Sequence, residues 1–199
     1  MERFFSPCPR GLEEALAAEL ARLGAQAVAP VDGGVGFEGP PDLAYVVNLE
    51  SRLASRVLWR VGGGPYRDER ELNALARGID WPTHFRADRT IRVDVAATRS
   101  PLRSLEFATL TVKDAVCDRF RDEQGKRPSV DKRMPDVRVH AYLTDREATF
   151  YLDTSGEPLF KRGWRRDTEE APLRENLAAG LIALSGWRPG TAFLDPMCG

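Results

Sequence analysis

The first part of the chain alternates between short apolar runs and stretches with apolar residues at helical spacing. The predicted elements, in order, are a strand at 3–6, a helix at 11–23, strands at 25–30 and 35–38, a helix at 41–53 and a strand at 55–61. An Asp-Gly-Gly turn at 32–34 joins the second and third strands in the manner of a hairpin. This β-α-β-β-α-β order predicts a ferredoxin-like fold.

Residues 62–65, Gly-Gly-Gly-Pro, follow the last of these strands and predict a linker at a domain border. A phosphate-binding loop would need a helix directly after the glycines. Instead Pro65 and Tyr66 come next, and no Gly-Lys-Ser/Thr follows. The linker is therefore the better interpretation of these glycines.

A second α+β pattern begins at Asp68. Its predicted elements are helices at 68–78 and 107–120 and strands at 90–97, 137–143 and 148–152. In the first of these strands, β-branched residues alternate with Arg92 and Asp94, which indicates a strand with one buried face. Gly125 predicts the end of the second helix, and we expect Trp81 to be a core anchor.

The last residues combine a predicted helix at 171–185 with a short apolar run at 192–194. The leucines that share one face of this helix are Leu173, Leu177, Leu181 and Leu184. The apolar run leads into Asp195 and then Gly199. A buried strand that ends in an acidic residue before a Gly-bearing loop is typical of a doubly wound α/β nucleotide site. Because a lone terminal strand is not stable, we expect the sequence to be the N-terminal part of a longer protein.

The composition is that of an ordinary folded protein, with 42% hydrophobic and 30% charged residues. No apolar run has membrane-spanning length, and the N-terminus lacks the apolar core of a signal peptide. Cys8, Cys117 and Cys198 are far apart in the sequence, and His84 and His140 are its two histidines. These residues argue against a disulfide framework and against a zinc site. We expect a cytoplasmic protein, monomeric and not bound to a membrane.

Basic residues are concentrated in one internal region. The whole chain has a formal net charge of −1, whereas residues 86–138 carry 13 Lys and Arg against 9 Asp and Glu, a net charge of +4. A local basic surface of this kind is compatible with contacts to a phosphate backbone. On charge alone, a solvated surface laced with salt bridges explains it better. The candidate phosphate contacts are Arg99, Arg103, Lys113, Arg119, Arg121, Lys126, Arg127, Lys132 and Arg133.

Several short motifs occur together in an order that resembles a known family. They are Lys113-Asp114-Ala115, the run GKRPSVD at 125–131, LDTSG at 152–156, KRGWR at 161–165, APLRENLAA at 171–179 and DPMCG at 195–199. In order and spacing the chain resembles the THUMP-containing class I RNA methyltransferases. It is most similar to the bacterial enzymes that methylate N2 of a guanosine in large-subunit (23S) ribosomal RNA.

The resemblance implies an α+β protein in three parts. Residues 1–65 would form a ferredoxin-like domain, and residues 66–155 a THUMP domain that binds structured RNA, in this case ribosomal RNA. Residues 156–199 would be the linker, helix and first strand of a truncated Rossmann-type methyltransferase domain. The cofactor would be S-adenosylmethionine, and its motif would begin at Asp195, Pro196, Met197, Cys198 and Gly199.

The resemblance also limits what these residues can do. The family's Asn-Pro-Pro-Tyr-type motif, which positions the target amino group, does not occur in the sequence, so no catalytic residue is assigned. We expect this chain alone to be inactive and to bind the cofactor weakly or not at all. Loop 126–133 is the strongest candidate for RNA contact because charge and resemblance agree there. Arg162, Arg165 and Arg166 either contact RNA or pack across a domain border, and we expect Trp164 to be a packing anchor.

Other functions share some of these features. A stand-alone RNA-binding module would end after the THUMP strands, whereas this chain continues through a helix into the predicted cofactor strand. A transfer-RNA guanosine methyltransferase of the same family stays open. A THUMP-containing thiolation enzyme would not carry Asp-Pro-Met-Cys-Gly. DNA adenine methylation is disfavoured by the THUMP-like region.

Overall fold

The computed structural model describes residues 1–163 and 173–196 of the chain. It divides into two compact units, unit 1 with residues 1–57 and 157–199 and unit 2 with residues 58–156. Both mix helices and strands, so the predicted α+β class is confirmed. The elements in chain order are β1 (Glu2–Pro7), α1 (Glu13–Arg22), β2 (Gln26–Val31), β3 (Gly34–Gly39), α2 (Leu43–Glu50), β4 (Leu58–Pro65), α3 (Glu69–Gly78), α4 (Trp81–His84), β5 (Thr90–Ala97), α5 (Leu105–Gln124), β6 (Ser129–Val130), β7 (Val137–Leu143), β8 (Glu147–Asp153) and α6 (Glu175–Leu184). No helix in the described ranges is long and apolar enough to cross a membrane.

Unit 1 contains three antiparallel strands in the order β2-β3-β1. The predicted hairpin turn joins β2 to β3, and Gly33 takes the left-handed φ of 81° that this turn needs. The amphipathic helix α1 buries Leu16 and Leu20 completely, and α2 buries Val47. The apolar pattern thus predicted the buried face of α1, but that of α2 only in part, since Leu43 and Val47 are buried whereas Val46 and Leu49 are 40% and 71% exposed.

In unit 2 the strands have the order β4-β8-β7-β5-β6. The β4/β8 and β8/β7 pairs are antiparallel, whereas β5 runs parallel to both β7 and β6. One face of these strands packs on α3, α4 and α5 in a single core. Trp81 lies fully buried in this core and donates its indole N–H to the Ala76 carbonyl at 2.7 Å, which confirms its predicted role as an anchor.

The linker predicted at residues 62–65 is wrong, because these residues are the second half of strand β4. Gly62 pairs with Phe150 of β8, and the ladder continues to Pro65. The glycines allow close packing: a Cβ on Gly62 would lie 2.7 Å from the Ile79 side chain, and one on Gly63 would lie 2.6 Å from the Ala148 carbonyl. A Gly-rich strand under a packed helix has the same composition as a linker.

Helix α6 also differs from its prediction, since it begins at Glu175 and buries a different face. Its buried residues are Asn176 and Gly180, whereas Leu181 and Leu184 are 52% and 61% exposed. Gly180 lies so close to Leu12, the residue before α1, that an added Cβ would overlap the leucine side chain. A small residue thus sets the contact, and the leucine periodicity does not. Residues 171–172 lie outside the described part of the chain.

The strand predicted at 192–194 is wrong for the described structure, where these residues are irregular. Phe193 packs its ring edge-on against Trp187 at 6.0 Å between centroids, and Leu194 is 85% exposed. An isolated apolar segment needs a neighbouring strand to satisfy its backbone, and residues 173–196 provide none.

Candidate nucleic-acid interface

Helix α5 is the scaffold around which the predicted RNA contacts are arranged. Ser104 caps its N-terminus by accepting the Phe107 backbone N–H at 3.2 Å, and Gly125 ends it with a left-handed φ of 68°. Its 20 residues make it about 30 Å long. Ala108, Val112, Val116 and Phe120 turn one face into the core of unit 2. The candidate side chains lie along the outer surface of α5 or in the loops at its ends.

Arg99 and Arg103 lie in the loop before α5, where strand β5 ends. This loop is held by the Thr98 N–H, which donates to the Leu143 carbonyl at 2.8 Å, and by Ser100 Oγ, which lies 2.7 Å from the buried Tyr66 hydroxyl. Arg99 has a φ of 59°, in the left-handed region. Both arginines are exposed and make no ion pair with any described residue. They form a small anchored cationic group, which we call the β5-end group.

Residues 126–133, the basic loop, lie at the other end of α5. Strand β6 within the loop pairs with Thr90 and Ile91 of β5, and the Asp131 N–H donates to the Ile91 carbonyl at 3.1 Å. Asp131 Oδ1 in turn accepts the Arg133 N–H at 2.8 Å. The backbone is therefore ordered while its basic side chains point outward. The exposed cations are Lys126, Arg127, Lys132 and Arg133.

Hydrogen bonds of charged side chains near the basic loop also hold it in place. Asp136 Oδ2 accepts both the backbone N–H and the hydroxyl of Thr90, at 2.8 and 2.9 Å. The Thr90 N–H, then its hydroxyl, hold the pKa of Asp136 below its usual value, so this carboxylate stays ionised. Arg92 Nη1 donates to the Lys132 carbonyl at 3.1 Å. The loop is thus tied to the start of both β5 and β7.

The remaining candidates on α5 are already paired. Lys113 contacts Asp114, and Arg121 lies 3.0 Å from Asp118. Arg119 bridges Asp80 and Glu123, each at 3.1 Å. A paired cation must give up or share its carboxylate before it can neutralise a phosphate. Lys113, Arg119 and Arg121 therefore fit a salt-bridged surface better than the cations of the two loops do.

The structure does not bring the nine candidates into one site. The basic loop joins β5 at Ile91, and the β5-end group begins beyond Ala97. Seven strand residues at about 3.3 Å each separate the two groups by about 23 Å. A single phosphate cannot contact both groups, whereas an extended nucleic-acid chain can.

Sequence reasoning missed a third set of polar residues, on strand β7. Arg138, His140 and Tyr142 alternate with Val139 and apolar neighbours, and they lie on the sheet face opposite the core. Arg138 is in register with Arg92 of β5. The alternation within residues 137–143 was the signal that could have revealed them.

Arg162 has a structural role in unit 1. Its guanidinium donates to the carbonyls of Leu49, Asn48 and Ser51 at 2.8, 2.9 and 2.8 Å, where helix α2 ends. These carbonyls lack intrahelical partners, so Arg162 is a C-terminal cap. The predicted roles of Trp164, Arg165 and Arg166 fall on residues outside the described ranges.

The predicted cofactor segment is described only at Asp195 and Pro196, because Met197, Cys198 and Gly199 are outside the described residues. Phe193 and Leu194, which precede Asp195, are 57% and 85% exposed. A cofactor site encloses most of its ligand, and residues 191–196 form no such enclosure. The described residues therefore do not fit S-adenosylmethionine by themselves.

Comparison with protein-family models divides the chain into three consecutive matches. Residues 3–58 match the RlmL ferredoxin-like domain, and residues 66–153 match the THUMP domain. Residues 162–199 match the RMKL-like methyltransferase domain. These matches confirm the domain types that the resemblance implied.

Known relatives and solved structures agree with these domains. The ribosomal RNA large subunit methyltransferase K/L of Psychromonas ingrahamii is 44% identical over all 199 residues, which span 26% of that protein. A predicted N6-adenine-specific DNA methylase from Listeria monocytogenes matches the whole chain with a TM-score of 0.88 at 28% identity, over 52% of its length. SMU.472, a putative methyltransferase complexed with SAH, matches with a TM-score of 0.87 at 29% identity, again over 52% of its length. The chain thus spans about a quarter of the curated relative and half of each solved structure.

Proposed function

Because this chain carries a ferredoxin-like domain, a THUMP domain and the start of a methyltransferase domain, we propose that it is the RNA-binding part of a ribosomal RNA methyltransferase. The reaction is transfer of a methyl group from S-adenosylmethionine to N2 of a guanosine in 23S ribosomal RNA, in the cytoplasm. The observation that carries the proposal is the 44% identity to a methyltransferase K/L across all 199 residues. The SAH complex of SMU.472 supports the choice of cofactor.

In this proposal residues 66–155 hold the RNA, and the methyltransferase domain begins within residues 156–199. Asp195 and the four residues after it start the cofactor motif. Methyl transfer to an amine depends mainly on positioning the donor and the acceptor. Since the described residues form no cofactor site, we assign no step of the reaction to them. Their role is to bind the RNA and orient it.

The basic loop and the β5-end group supply the RNA contacts in this proposal. Phosphate neutralisation dominates such affinity, and it needs cations that are exposed and not already paired. The four cations of the basic loop meet both conditions, since they are exposed and form no ion pair within residues 1–163 and 173–196. Their backbone is anchored by Asp131 and by the carbonyl of Lys132, so little loop entropy is lost on binding. Folded RNA would be recognised chiefly by its shape and its 2′-hydroxyl groups.

The test compares two double variants that change the net charge equally. Lys126→Ala with Arg127→Ala removes two unpaired cations, whereas Arg67→Ala with Arg77→Ala removes two cations that are paired with Glu71 and Asp122. We expect the first variant to bind a 23S ribosomal RNA fragment about ten-fold more weakly and to lower the slope of log Kobs against log salt by about 2. The second should leave both quantities close to those of the unmodified chain. Equal losses in the two variants would reject the basic loop as the contact.

The same assay separates the alternative substrates. Transfer RNA bound more tightly than ribosomal RNA would favour a transfer-RNA methyltransferase of the same family. Tight binding to duplex DNA would favour the activity named for the Listeria monocytogenes neighbour. Equal, strongly salt-dependent binding to all three would show that this part of the protein contributes affinity but no selection.

A further inference from the structure

The strands of unit 2 have one face in the core and one face that its helices leave uncovered. The core face carries buried residues such as Ile91, Val139 and Phe150, which pack with α3 and α5. The opposite face, here called the polar face, is defined by Arg60 of β4, Arg92 of β5, Arg138, His140 and Tyr142 of β7, and Tyr151 of β8.

Strand register arranges the polar face in rows. Arg92 lies beside Arg138, and His140 lies beside Tyr151, which in turn lies beside Arg60. Tyr142 is flanked by two small residues, Ala96 on β5 and Thr149 on β8. On this face the aromatic ring of Tyr142 is therefore flanked by small side chains on both sides. The cations Arg92 and Arg138 lie farther along β5 and β7.

Tyr142 is both exposed and held in place by a hydrogen bond. Its ring belongs to a residue that is 42% exposed, and its hydroxyl donates to Thr98 Oγ1 at 2.9 Å. Ala96 beside it is also exposed. An immobilised ring that is open to solvent offers a surface for stacking at little cost in side-chain entropy.

The charge of the polar face is positive. Arg138 and Arg60 make no ion pair with any residue in the described ranges, whereas Asp94 is matched by Arg92 at 2.8 Å. Asp153 lies near His140, at 3.7 Å, but its side chain is fully buried. The half-buried Arg60 and Arg138 therefore give this face two cations that can complement an anion.

Two hydrogen bonds connect the polar face to the two cationic groups at its ends. Tyr142 bonds to Thr98, the residue before Arg99 of the β5-end group. Arg92 bonds to the carbonyl of Lys132 in the basic loop. The polar face thus fills the interval of about 23 Å between the two groups along β5, so that the three form one continuous strip.

We infer that the polar face binds an unpaired segment of RNA, with a base stacked on Tyr142 and phosphates contacting Arg138 and the cations at both ends. This inference rests on the proposed function and specifies the surface and the form of the RNA. Bases of a single strand present their flat faces to aromatic side chains, whereas bases within a duplex are stacked on each other. An exposed tyrosine in a cationic strip therefore favours the unpaired form over a helix.

The experiment uses the 199-residue chain and two RNA probes. One is a hairpin with a single-stranded 3′ extension of about ten nucleotides that carries 2-aminopurine, and the other is the same hairpin with a blunt end. We expect tighter binding of the extended probe and quenching of the 2-aminopurine fluorescence by stacking. Tyr142→Ala should weaken binding of the extended probe about ten-fold without changing its salt slope, because no charge is lost.

Three further variants make the test specific. Tyr142→Phe keeps the ring and should keep the preference for the extended probe. Arg138→Gln should lower the salt slope by about 1 while the quenching persists. Tyr45→Ala removes a tyrosine that is 78% exposed on α2 of unit 1, and it should change nothing. Circular dichroism of each variant establishes that the fold is retained.

Each outcome bears on a different statement. If the chain binds both probes equally, or if Tyr142→Ala keeps the preference, the inference is wrong while the proposed RNA-binding function stands. If neither probe nor a 23S ribosomal RNA fragment binds at low salt, both fail. If Tyr142→Ala leaves RNA binding intact but changes the sedimentation coefficient, the polar face is a contact between copies of the chain.

Discussion

Replacing Arg162 should destabilise unit 1 because one guanidinium closes the end of helix α2. Its nitrogens donate to three carbonyls at 2.8 to 2.9 Å. The helix has only eight residues, so its unpaired terminal carbonyls are a large fraction of its backbone acceptors. Arg162→Ala removes all three of these hydrogen bonds at once.

The magnitude follows from the number and type of these bonds. Hydrogen bonds to a charged group contribute about 1.5–3 kcal/mol each before the cost of ordering the arginine, which is about 2 kcal/mol. At the lower limit, three such bonds from one ordered side chain leave a net effect of about 2.5 kcal/mol for Arg162→Ala, which corresponds to a fall in Tm of about 5–10 °C in a chain of this size. Arg162→Lys keeps the charge but not the planar fork, so it should lose about 1 kcal/mol.

Urea unfolding followed by circular dichroism measures this loss, and Lys161→Ala is its matched control. Lys161 is the neighbouring cation and lies 3.4 Å from Glu157, with both side chains more than half exposed. Such a surface pair contributes less than about 1 kcal/mol. If Arg162→Ala were no less stable than Lys161→Ala, the capping argument would be refuted. An accompanying loss of RNA affinity in Arg162→Ala, with stability unchanged, would restore the alternative role as an RNA contact.

Two further predictions concern packing and pH. Gly34→Ala should lower the free energy of unfolding in urea by about 2 kcal/mol, because its Cβ would lie 2.6 Å from the Ser6 carbonyl. Gly36→Ala is the control: its Cβ would have its nearest neighbour at 3.8 Å, so the change should stay within about 0.5 kcal/mol. Equal effects of the two substitutions would contradict the contact geometry. Burial, aided by the charge of Glu13, raises the pKa of the Cys8 thiol from 9.0 to about 11, so its neutral form stabilises the fold below pH 9.0 and this contribution is lost as pH rises toward about 11. Cys8→Ala should flatten the decline of unfolding free energy across that range, and an unchanged decline would assign it to other groups.

The pattern of apolar and polar residues was sufficient to predict strands in which buried and exposed positions alternate along the chain. Strands β5 and β7 were predicted with their observed bounds, because each has one apolar and one polar face. Gly125 ends α5 in the left-handed conformation, so the predicted end of this helix rested on the same chemistry that the structure uses. The start predicted for the helix at Asp68 also agrees with the structure, where Asp68 caps α3 by accepting the Glu71 N–H at 2.9 Å. The ferredoxin-like and THUMP domain types followed from the order of elements together with the motifs.

Elements were mispredicted where a distant partner decides which residues are buried. Gly62 belongs to a strand because it pairs with Phe150 of β8, and Ile79 packs closely against it, while Gly180 is buried because Leu12 lies on it. Neither contact leaves a local signal, since glycine is equally typical of linkers and of close approaches. The four leucines of the helix predicted at 171–185 suggested the opposite face, but Leu173 lies before α6, and Leu173, Leu181 and Leu184 are exposed.

The candidate RNA contacts were also predicted incompletely, because their arrangement depends on distant parts of the chain. Charge counting singled out residues 86–138 but could not tell paired from unpaired cations. The structure pairs Arg119 with two carboxylates, whereas the exposed Arg99 has no carboxylate partner in the part of the chain that is described. Charge counting also could not show that the two basic loops lie about 23 Å apart along β5. Once the loops are separated in this way, a phosphate contact at each end requires an RNA segment that crosses the strip between them, and the polar face with Tyr142 lies along that path. Because the two basic groups are separated, an RNA segment that contacts both would pass over the stacking surface of Tyr142.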